Sequence, residues 1–202
     1  MIITIGREFG SEGHEIGKEL SQRLEYELYD KDLLALAEKE SGIDINVLAG
    51  ADETIYGHFL SPYMTIQKLS PTLGDQLFQI QSNIIHNLAE KGNCIIIGRL
   101  ADFILKDRED CIKAFIFAPF EARVKIIMEK HGISENEAAK LTKKMDAARK
   151  SYYSYYSDGK WSQKEGKDIM LNRAAFGIRG CVDLLEMAVK QKTGGAFCEW
   201  RD

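Results

Sequence analysis

The side chains best suited to chemistry stand in a glycine-rich stretch near the start of the chain. Residues 6–17 place four glycines among charged and hydroxyl-bearing residues, in the order Gly6, Arg7, Glu8, Phe9, Gly10, Ser11, Glu12, Gly13, His14, Glu15, Ile16 and Gly17. Closely spaced glycines let backbone N–H groups approach an anion, and a helix that follows adds its positive N-terminal end. The stretch therefore predicts a phosphate-binding turn. A tight turn whose glycines only permit positive φ and close packing is the alternative.

The same stretch lacks the lysine of the strict phosphate-loop pattern G-x-x-x-x-G-K-[ST]. Counted from Gly6, the lysine position falls on Glu12 and the hydroxyl position on Gly13. Two extra loop residues would bring His14 to the lysine position instead. A neutral histidine replaces a fixed cation poorly, and losing one such charge costs several kcal/mol of transition-state stabilisation. We therefore hypothesise that Arg7 supplies the missing charge.

Strands and helices must flank this loop if it is to hold a ligand. The apolar run over residues 1–5 predicts a buried strand before it, and helical spacing of apolar residues resumes over residues 13–23. A second short strand is expected over residues 27–30, followed by a helix over residues 31–39. Asp30 then stands at the carboxyl end of a strand, where ligands bind in α/β proteins. Capping the next helix is the other role open to this aspartate.

Two further apolar runs, over residues 93–99 and 111–118, predict buried parallel strands, and residues 167–172 predict a last one. Strands that alternate with helices in this way make a doubly wound parallel sheet. Arg99 ends one of these strands and is a candidate phosphate clamp, because its planar guanidinium suits oxyanions. The alternative is a surface arginine paired with an acid.

Residues 41–73 are the least regular part of the chain. We interpret them either as a mobile helical insertion that closes over a substrate or as ordinary connecting structure. A long helix follows and ends at residues 91–92. Farther along, Ser134 and Glu137 have the spacing of a capping box that opens another helix.

Residues 140–173 form a basic, tyrosine-rich segment in an otherwise acidic protein. Nine lysines and arginines against four acids give it a net charge of +5, so the rest of the chain sums to −9. Such a segment indicates an anionic ligand or partner. Its tyrosines could also stack the bases of a single strand. A solvated helix whose tyrosines pack the core is the third interpretation.

The overall composition narrows the function classes. A chain of 202 residues with 45% hydrophobic and 29% charged residues fits one soluble domain, which we expect over residues 1–192, with a flexible tail at 193–202. The net charge of −4 argues against a general nucleic-acid binder. No apolar run approaches the roughly 18 residues of a membrane span. The four cysteines lack metal-binding spacing, so we expect reduced core residues of a cytoplasmic protein.

Taken together, the motifs resemble those of the cytidylate-kinase-like family of P-loop proteins. The similar stretches are residues 3–17, Tyr29-Asp30-Lys31-Asp32-Leu33, Ile97-Gly98-Arg99, Asp146 to Tyr153 with Gly159-Lys160-Trp161, and Asp168 to Asn172. The resemblance covers about residues 2–190. It implies an α/β P-loop fold with a five-stranded parallel sheet flanked by helices, a helical monophosphate-binding insertion (about 41–73) and a lid (about 134–167).

The resemblance also implies an activity and a set of site residues. The reaction would move the γ-phosphoryl group of ATP, as its Mg²⁺ complex, onto CMP or a related acceptor. The donor phosphates would lie on Gly6, Gly10, Ser11, Glu12, Gly13 and His14, with Glu15 beside the loop and Ser11 as a metal ligand. The acceptor would face Asp30 and Arg99, and the lid would carry Lys144, Arg149 and Lys160. The catalytic set would be His14, Arg123 and Arg149, to which our own hypothesis adds Arg7.

Three functions therefore compete. The leading one is an ATP-dependent nucleoside monophosphate kinase with nucleotide partners. A homodimer is compatible with this function. The second is a catalytically weak or inactive nucleotide-binding regulatory protein, which the missing lysine favours. The third is a single-strand nucleic-acid binder, which the acidic remainder of the chain disfavours.

Overall fold

A computed structural model describes residues 1–30, 32–41, 71–157 and 161–194. In chain order the elements of these ranges are β1 (Ile2–Arg7), α1 (Gly13–Leu24), β2 (Glu27–Tyr29), α2 (Asp32–Ser41), α3 (Pro71–Lys91), β3 (Cys94–Ile97), α4 (Ala101–Ile104), β4 (Cys111–Phe117), α5 (Phe120–His131), α6 (Glu135–Tyr156), β5 (Ile169–Asn172) and α7 (Arg173–Thr193).

The five strands form one sheet in the order β2-β3-β1-β4-β5, and every neighbouring pair is parallel. In the central register, Ile5 lies opposite Ile97 on one side and Ala114 on the other. The predicted five-stranded parallel sheet is therefore confirmed. Since all strands run the same way, their carboxyl ends meet at a single edge, which is where the loops that follow them must converge.

Apolar side chains cover both faces of the sheet, which explains why β1 reads as a continuous hydrophobic run. Alternate residues of a strand point to opposite faces. Ile2 packs with α2, α3 and α4, whereas Ile3 and Ile5 pack with α1 and α7. The long helix α3 contributes Leu77 and Ile85 to the first cluster.

Local signals set several helix boundaries. The side chain of Ser134 accepts a hydrogen bond from the Glu137 N–H, and that of Glu137 accepts one from the Ser134 N–H, so the predicted capping box is confirmed. Pro71 opens α3, where a proline costs no hydrogen bond. Residue 41 ends α2 and residues 71–73 begin α3, so both ends of the stretch predicted to be irregular are helical. The four-residue helix α4 carried no sequence signal.

Some predictions fall outside the described residues. They concern residues 42–70 of the insertion, Lys160 of the lid, and all but the first two residues of the tail. Cys94, Cys111 and Cys181 are buried free thiols, as predicted, while Cys198 lies outside the described part. None of the described helices is long and apolar enough to cross a membrane.

Candidate active site

The glycine-rich loop connects β1 to α1 at the carboxyl edge of the sheet. Gly10 has a φ of 80°, and a Cβ there would lie 2.9 Å from the Arg123 carbonyl oxygen, so only glycine fits. The Ile16 N–H bonds the Glu12 carbonyl over 3.0 Å. Because that is the first bond of α1, the N–H groups of residues 13–15 have no acceptor within the helix. They form, with the helix dipole, a place that favours an anion.

Ser11 anchors this loop to the sheet. Its side chain is fully buried, and its hydroxyl lies 2.9 Å from the Glu8 carbonyl oxygen and 3.1 Å from that of Ile116 in β4. In this arrangement Ser11 holds the loop in shape, and its role as a metal ligand stays a prediction.

Arg123, on α5, hydrogen-bonds the loop backbone at Phe9 and the side chain of Asp146 on α6. Its Nη1 donates to Asp146 Oδ2 over 2.6 Å and to the Phe9 carbonyl over 2.9 Å. Its Nε donates to the Ala118 carbonyl over 3.0 Å and lies 3.1 Å from Glu8 Oε2. With only 7% of the side chain exposed, the guanidinium is enclosed by protein acceptors. In this arrangement the Arg123 side chain fastens the loop to α5 and α6, and its catalytic role stays a prediction.

The loop backbone and helix α6 are also joined directly. The Phe9 N–H donates to Asp146 Oδ1 over 2.8 Å, and Arg149 Nη1 donates to the Arg7 carbonyl over 3.0 Å. The Arg149 guanidinium lies 5.6 Å from the centre of the Phe9 ring. Helix α6, from the predicted lid, thus packs on the end of β1, which brings Arg149 to the loop.

A second group joins three predicted site residues, Arg7, His14 and Asp30. Nδ1 of His14 lies 2.7 Å from Asp30 Oδ2, and Nη2 of Arg7 lies 3.7 Å from Asp30 Oδ1. The Arg7 side chain passes against Gly98, where a Cβ would lie only 1.8 Å from its Nη1. The absence of a side chain at Gly98 therefore makes the room that the Arg7 guanidinium occupies.

The two other acids of the loop are each paired with a cation. Glu12 forms an ion pair with Arg173 of α7, and Glu15 lies 2.6 Å from Lys130 Nζ of α5. Partial burial raises the pKa of Glu15, but the hydrogen bond and charge of Lys130 outweigh it and leave the pKa below its ordinary value. Arg173 and Lys130 were not among the predicted site residues, because nothing in the sequence links either one to the loop.

The turn after β3 is strained. Gly98, Arg99 and Leu100 all have left-handed φ values, of 71°, 56° and 53°. Such conformations cost energy for residues with a Cβ and concentrate at functional sites. The turn buries Arg99, which is 8% exposed. A strained turn therefore holds this arginine at the edge of the sheet.

Arg7, Arg99 and Arg149 line one pocket, beside the glycine-rich loop. Its other lining residues are small, apolar, aromatic or acidic: Gly6, Gly98, Leu100, Asp102, Phe115, Tyr152, Tyr153 and Trp161. The Phe115 and Trp161 rings meet edge to face at 5.5 Å. Three arginines and several aromatic rings suit a ligand with an anionic group and a flat ring.

Asp102 does not cancel the positive charge of this pocket, because a buried lysine already neutralises it. Lys167 Nζ forms an ion pair with Asp102 Oδ2, and the lysine side chain is 1% exposed. Tyr153 donates to the same carboxylate over 3.1 Å. Burial and the Asp102 charge raise the pKa of the Tyr153 hydroxyl. Sequence reasoning missed this group, since the three residues lie far apart in the chain and carry no shared pattern.

Two predicted lid residues, Lys144 and Lys160, remain. Lys144 is exposed on α6 and Lys160 lies outside the described residues. The structure thus brings together Gly6, Arg7, Arg99 and Arg149 at the pocket, and His14 with Asp30 beside Arg7. It separates from them Ser11 and Arg123, which are turned into the protein.

Solved structures share this architecture. An uncharacterized protein from Eubacterium ventriosum is 29% identical, with a TM-score of 0.72 over 94% of this chain and 98% of that one. The shikimate kinase of Acinetobacter baumannii is 12% identical, with a TM-score of 0.54 over 95% of this chain and 93% of its own. The fold is that of P-loop kinases.

Sequence comparisons agree with the fold. A curated cytidylate kinase from Methanococcus aeolicus is 29% identical over 109 residues, which are 52% of this chain and 61% of that relative, so the match leaves more than a third of the relative uncovered. The model of the cytidylate kinase-like family matches residues 2–175. The chain belongs to the cytidylate kinase-like family.

Proposed function

We propose that this protein is a nucleoside monophosphate kinase that transfers the γ-phosphoryl group of ATP to CMP or a related acceptor. The observation that carries the proposal is the arginine-lined aromatic pocket beside the glycine-rich loop. Phosphoryl transfer asks a protein for positioning and charge neutralisation rather than covalent chemistry. A loop for one phosphate chain and an adjacent basic pocket for a second phosphate meet that requirement.

The donor triphosphate would bind at the β1–α1 loop. The N–H groups of residues 13–15 open α1, and positive φ values at Gly10 and Glu12 curl the backbone before it. Main-chain donors at a helix N-terminus bind phosphate without any side chain. In this proposal the loop holds ATP mainly through its backbone, which reduces its dependence on the missing lysine.

The acceptor monophosphate would bind in the pocket. Arg99 and Arg149 reach it from the end of β3 and from α6, and the rings of Tyr152 and Trp161 would flank a base. The pairing of Asp102 with Lys167 leaves the arginines as the dominant charges. A dianionic phosphate attached to a planar base matches these features.

Arg7 would connect the two sites. It follows the loop glycine Gly6, its Cβ lies 2.7 Å from where a Cβ of Gly13 would be, and it lines the pocket. A cation in that position can stabilise charge on the group in transit between donor and acceptor. We therefore assign to Arg7 the role that the loop lysine has in the strict pattern.

Magnesium would arrive with ATP as part of the substrate. Within the described residues no cluster of three or more His, Cys, Asp or Glu side chains could hold a metal ion, and the Ser11 hydroxyl is turned inward. The ion would then be held chiefly by the phosphate oxygens and water, as Mg²⁺ commonly is in kinases.

Several parts of the proposal remain predictions. They are the residue assignments, the domain bounds, the lid, the cytoplasmic location and a homodimer.

The test is an assay of ADP formation with Mg²⁺, ATP and a panel of nucleoside monophosphates, namely CMP, dCMP, UMP, AMP and GMP. We expect ADP formation that depends on a cytidine or uridine acceptor. The Arg99→Ala variant should lower kcat/KM for the acceptor about 10²-fold or more. Arg179→Ala, which removes an exposed arginine of α7, is the matched control and should leave kcat/KM unchanged.

The regulatory alternative makes a different prediction in the same assay. His14 engages Asp30 at the place where a lysine is expected, which favours weak catalysis. ATP binding without turnover on any acceptor would contradict the kinase and support a nucleotide-binding regulatory protein. Oligonucleotide binding with steep salt dependence would instead revive the nucleic-acid hypothesis.

A further inference from the structure

The loop that is expected to bind phosphate carries three acids, and each is paired with a cation from a later part of the chain. Glu8 pairs with Arg123, Glu12 with Arg173 and Glu15 with Lys130. A bare carboxylate beside a phosphate site would repel the ligand. The pairing removes that conflict from the loop, and the three pairs differ in where the carboxylate lies.

Of the three acids, Glu12 is the one that directly precedes the first turn of α1. It is the N-cap residue of α1, with a φ of 56°, and its side chain makes no capping hydrogen bond. The carboxylate therefore belongs to the residue immediately before the unbonded N–H groups of residues 13–15. Glu8, by contrast, contacts Arg123 of α5, and Glu15 contacts Lys130 of the same helix.

Arg173 reaches Glu12 because it directly follows β5 and because α7 is interrupted one turn later. It is the first residue of α7, directly after β5, and the Asn172 side chain caps the helix by accepting the Ala174 N–H over 3.0 Å. Gly177, with φ 67° and ψ −179°, interrupts the helix one turn later. The turn that carries Arg173 can therefore take its own direction, toward the loop, while the rest of α7 packs on the sheet.

We infer that Arg173 is a positioning residue for the donor triphosphate and that it acts through Glu12. By neutralising the Glu12 carboxylate, Arg173 lets the helix dipole and the loop N–H groups dominate the local field. The side chains are 19% and 26% exposed, so the pair is partly shielded from water and salt. The inference rests on the proposed ATP site, and it explains how a loop with an acid near the lysine position still accepts an anion.

The experiment is a double-mutant cycle read out by the Kd for Mg²⁺-ATP, measured by calorimetry. We expect Arg173→Gln to weaken binding about tenfold, which corresponds to about 1.4 kcal/mol. Arg173→Lys keeps the charge and should stay within about threefold of the unmodified protein on the same scale. In a Glu12→Gln background, Arg173→Gln should change the Kd less than about twofold. Arg179→Ala, on the same helix, is the control and should bind like the unmodified protein.

Each other outcome rejects the inference in a recognisable way. If Arg173→Gln weakens binding equally with Glu12 and with the Glu12→Gln substitution, Arg173 acts directly on the ligand or on the fold. If Arg173→Gln binds as tightly as the unmodified protein, the pair has no role at the donor site. If the unmodified protein binds no Mg²⁺-ATP, the proposed function fails and the inference with it. Thermal unfolding of each variant without ligand identifies any that fail to fold, and Arg173→Ala then replaces Arg173→Gln.

Discussion

Nδ1 of His14 lies 2.7 Å from Oδ2 of Asp30, so the residue at the expected lysine position is held by an acid. An ionised carboxylate only accepts hydrogen bonds, and the Nδ1–H therefore donates. The imidazole is fixed by this bond and remains half exposed on its other side. A histidine held in this way does not replace the mobile, permanently charged lysine of the strict pattern. Arg7, on the far side of Asp30, is the remaining permanent cation of this group.

The first prediction separates these two residues. Arg7→Ala should lower kcat/KM for phosphoryl transfer about 10²-fold to 10³-fold, the size of effect seen when one transition-state contact is removed. His14→Ala should cost less than about tenfold, because it removes no fixed charge. Steady-state kinetics with ATP and the best acceptor measure both. Transfer that is unaffected by Arg7→Ala, or that is lost only in His14→Ala, would contradict the assignment of Arg7.

The second prediction concerns Gly98, whose missing side chain makes room for Arg7. A Cβ there would meet the Arg7 Nη1 at 1.8 Å, and the flexible arginine would move aside. Gly98→Ala should therefore reduce activity nearly as much as Arg7→Ala. Its stability should fall by only about 1–2 kcal/mol, the cost of a left-handed alanine.

Gly92→Ala is the matched control for this prediction. Gly92 also has a φ of 71°, and a Cβ there would have no atom within 4 Å. It should lose the same stability in denaturant unfolding while keeping full activity. Equal activity of the two alanine variants would show that the position of Arg7 does not matter.

The sheet and most of the helices were predictable because their signals are local and repeated. Runs of mostly apolar residues marked β1, β3 and β4, and the capping box marked the start of α6. The carboxyl ends of the strands then gave Arg7, Asp30 and Arg99, since parallel topology alone brings such positions to one edge. This much follows from periodicity and strand direction.

The partners of the site residues could not be predicted, because they depend on tertiary contacts over long chain separations. Arg123 pairs with Glu8 and Asp146, and only the path of α5 brings these residues together. Nothing in the sequence distinguishes Arg173 and Lys167 from other basic residues, and only the fold around β5 places them against Glu12 and Asp102. Sequence spacing carries no information about such pairings.

The third prediction tests the support that Arg123 gives to the loop. Arg123→Met should lower the free energy of unfolding by about 3 kcal/mol or more at pH 7–8, because Glu8 and Asp146 would keep their charges without a cation. Burial already raises the pKa of Glu8, against the opposing Ala118 N–H and Arg123 charge. A raised carboxyl pKa means stability that is present at low pH and is lost as pH rises through that pKa.

The loss caused by Arg123→Met should therefore shrink as the pH falls through the raised pKa of Glu8, because the carboxylate then takes up a proton. Urea unfolding at several pH values measures this. Lys125→Ala, on the exposed side of the same helix, is the control and should change stability little. A destabilisation that is equally large at pH 5 and pH 8 would contradict the electrostatic explanation.

The last prediction concerns the buried thiols of β3 and β4. Burial raises the pKa of Cys94 and of Cys111 to about 11, from an ordinary value of 9.0. In the unfolded chain these thiols ionise at lower pH than in the folded protein, so their contribution is complete below pH 9 and is lost as the pH rises toward 11. Each should contribute about 2 kcal/mol to that loss. Cys94→Ala should flatten the fall in unfolding free energy between pH 9 and pH 11, relative to the unmodified protein.

The rate of thiol labelling tests the same burial. In a Cys198→Ser background, iodoacetamide at pH 8 should label the native chain far more slowly than the urea-unfolded chain. Equal labelling rates would contradict the burial of these thiols.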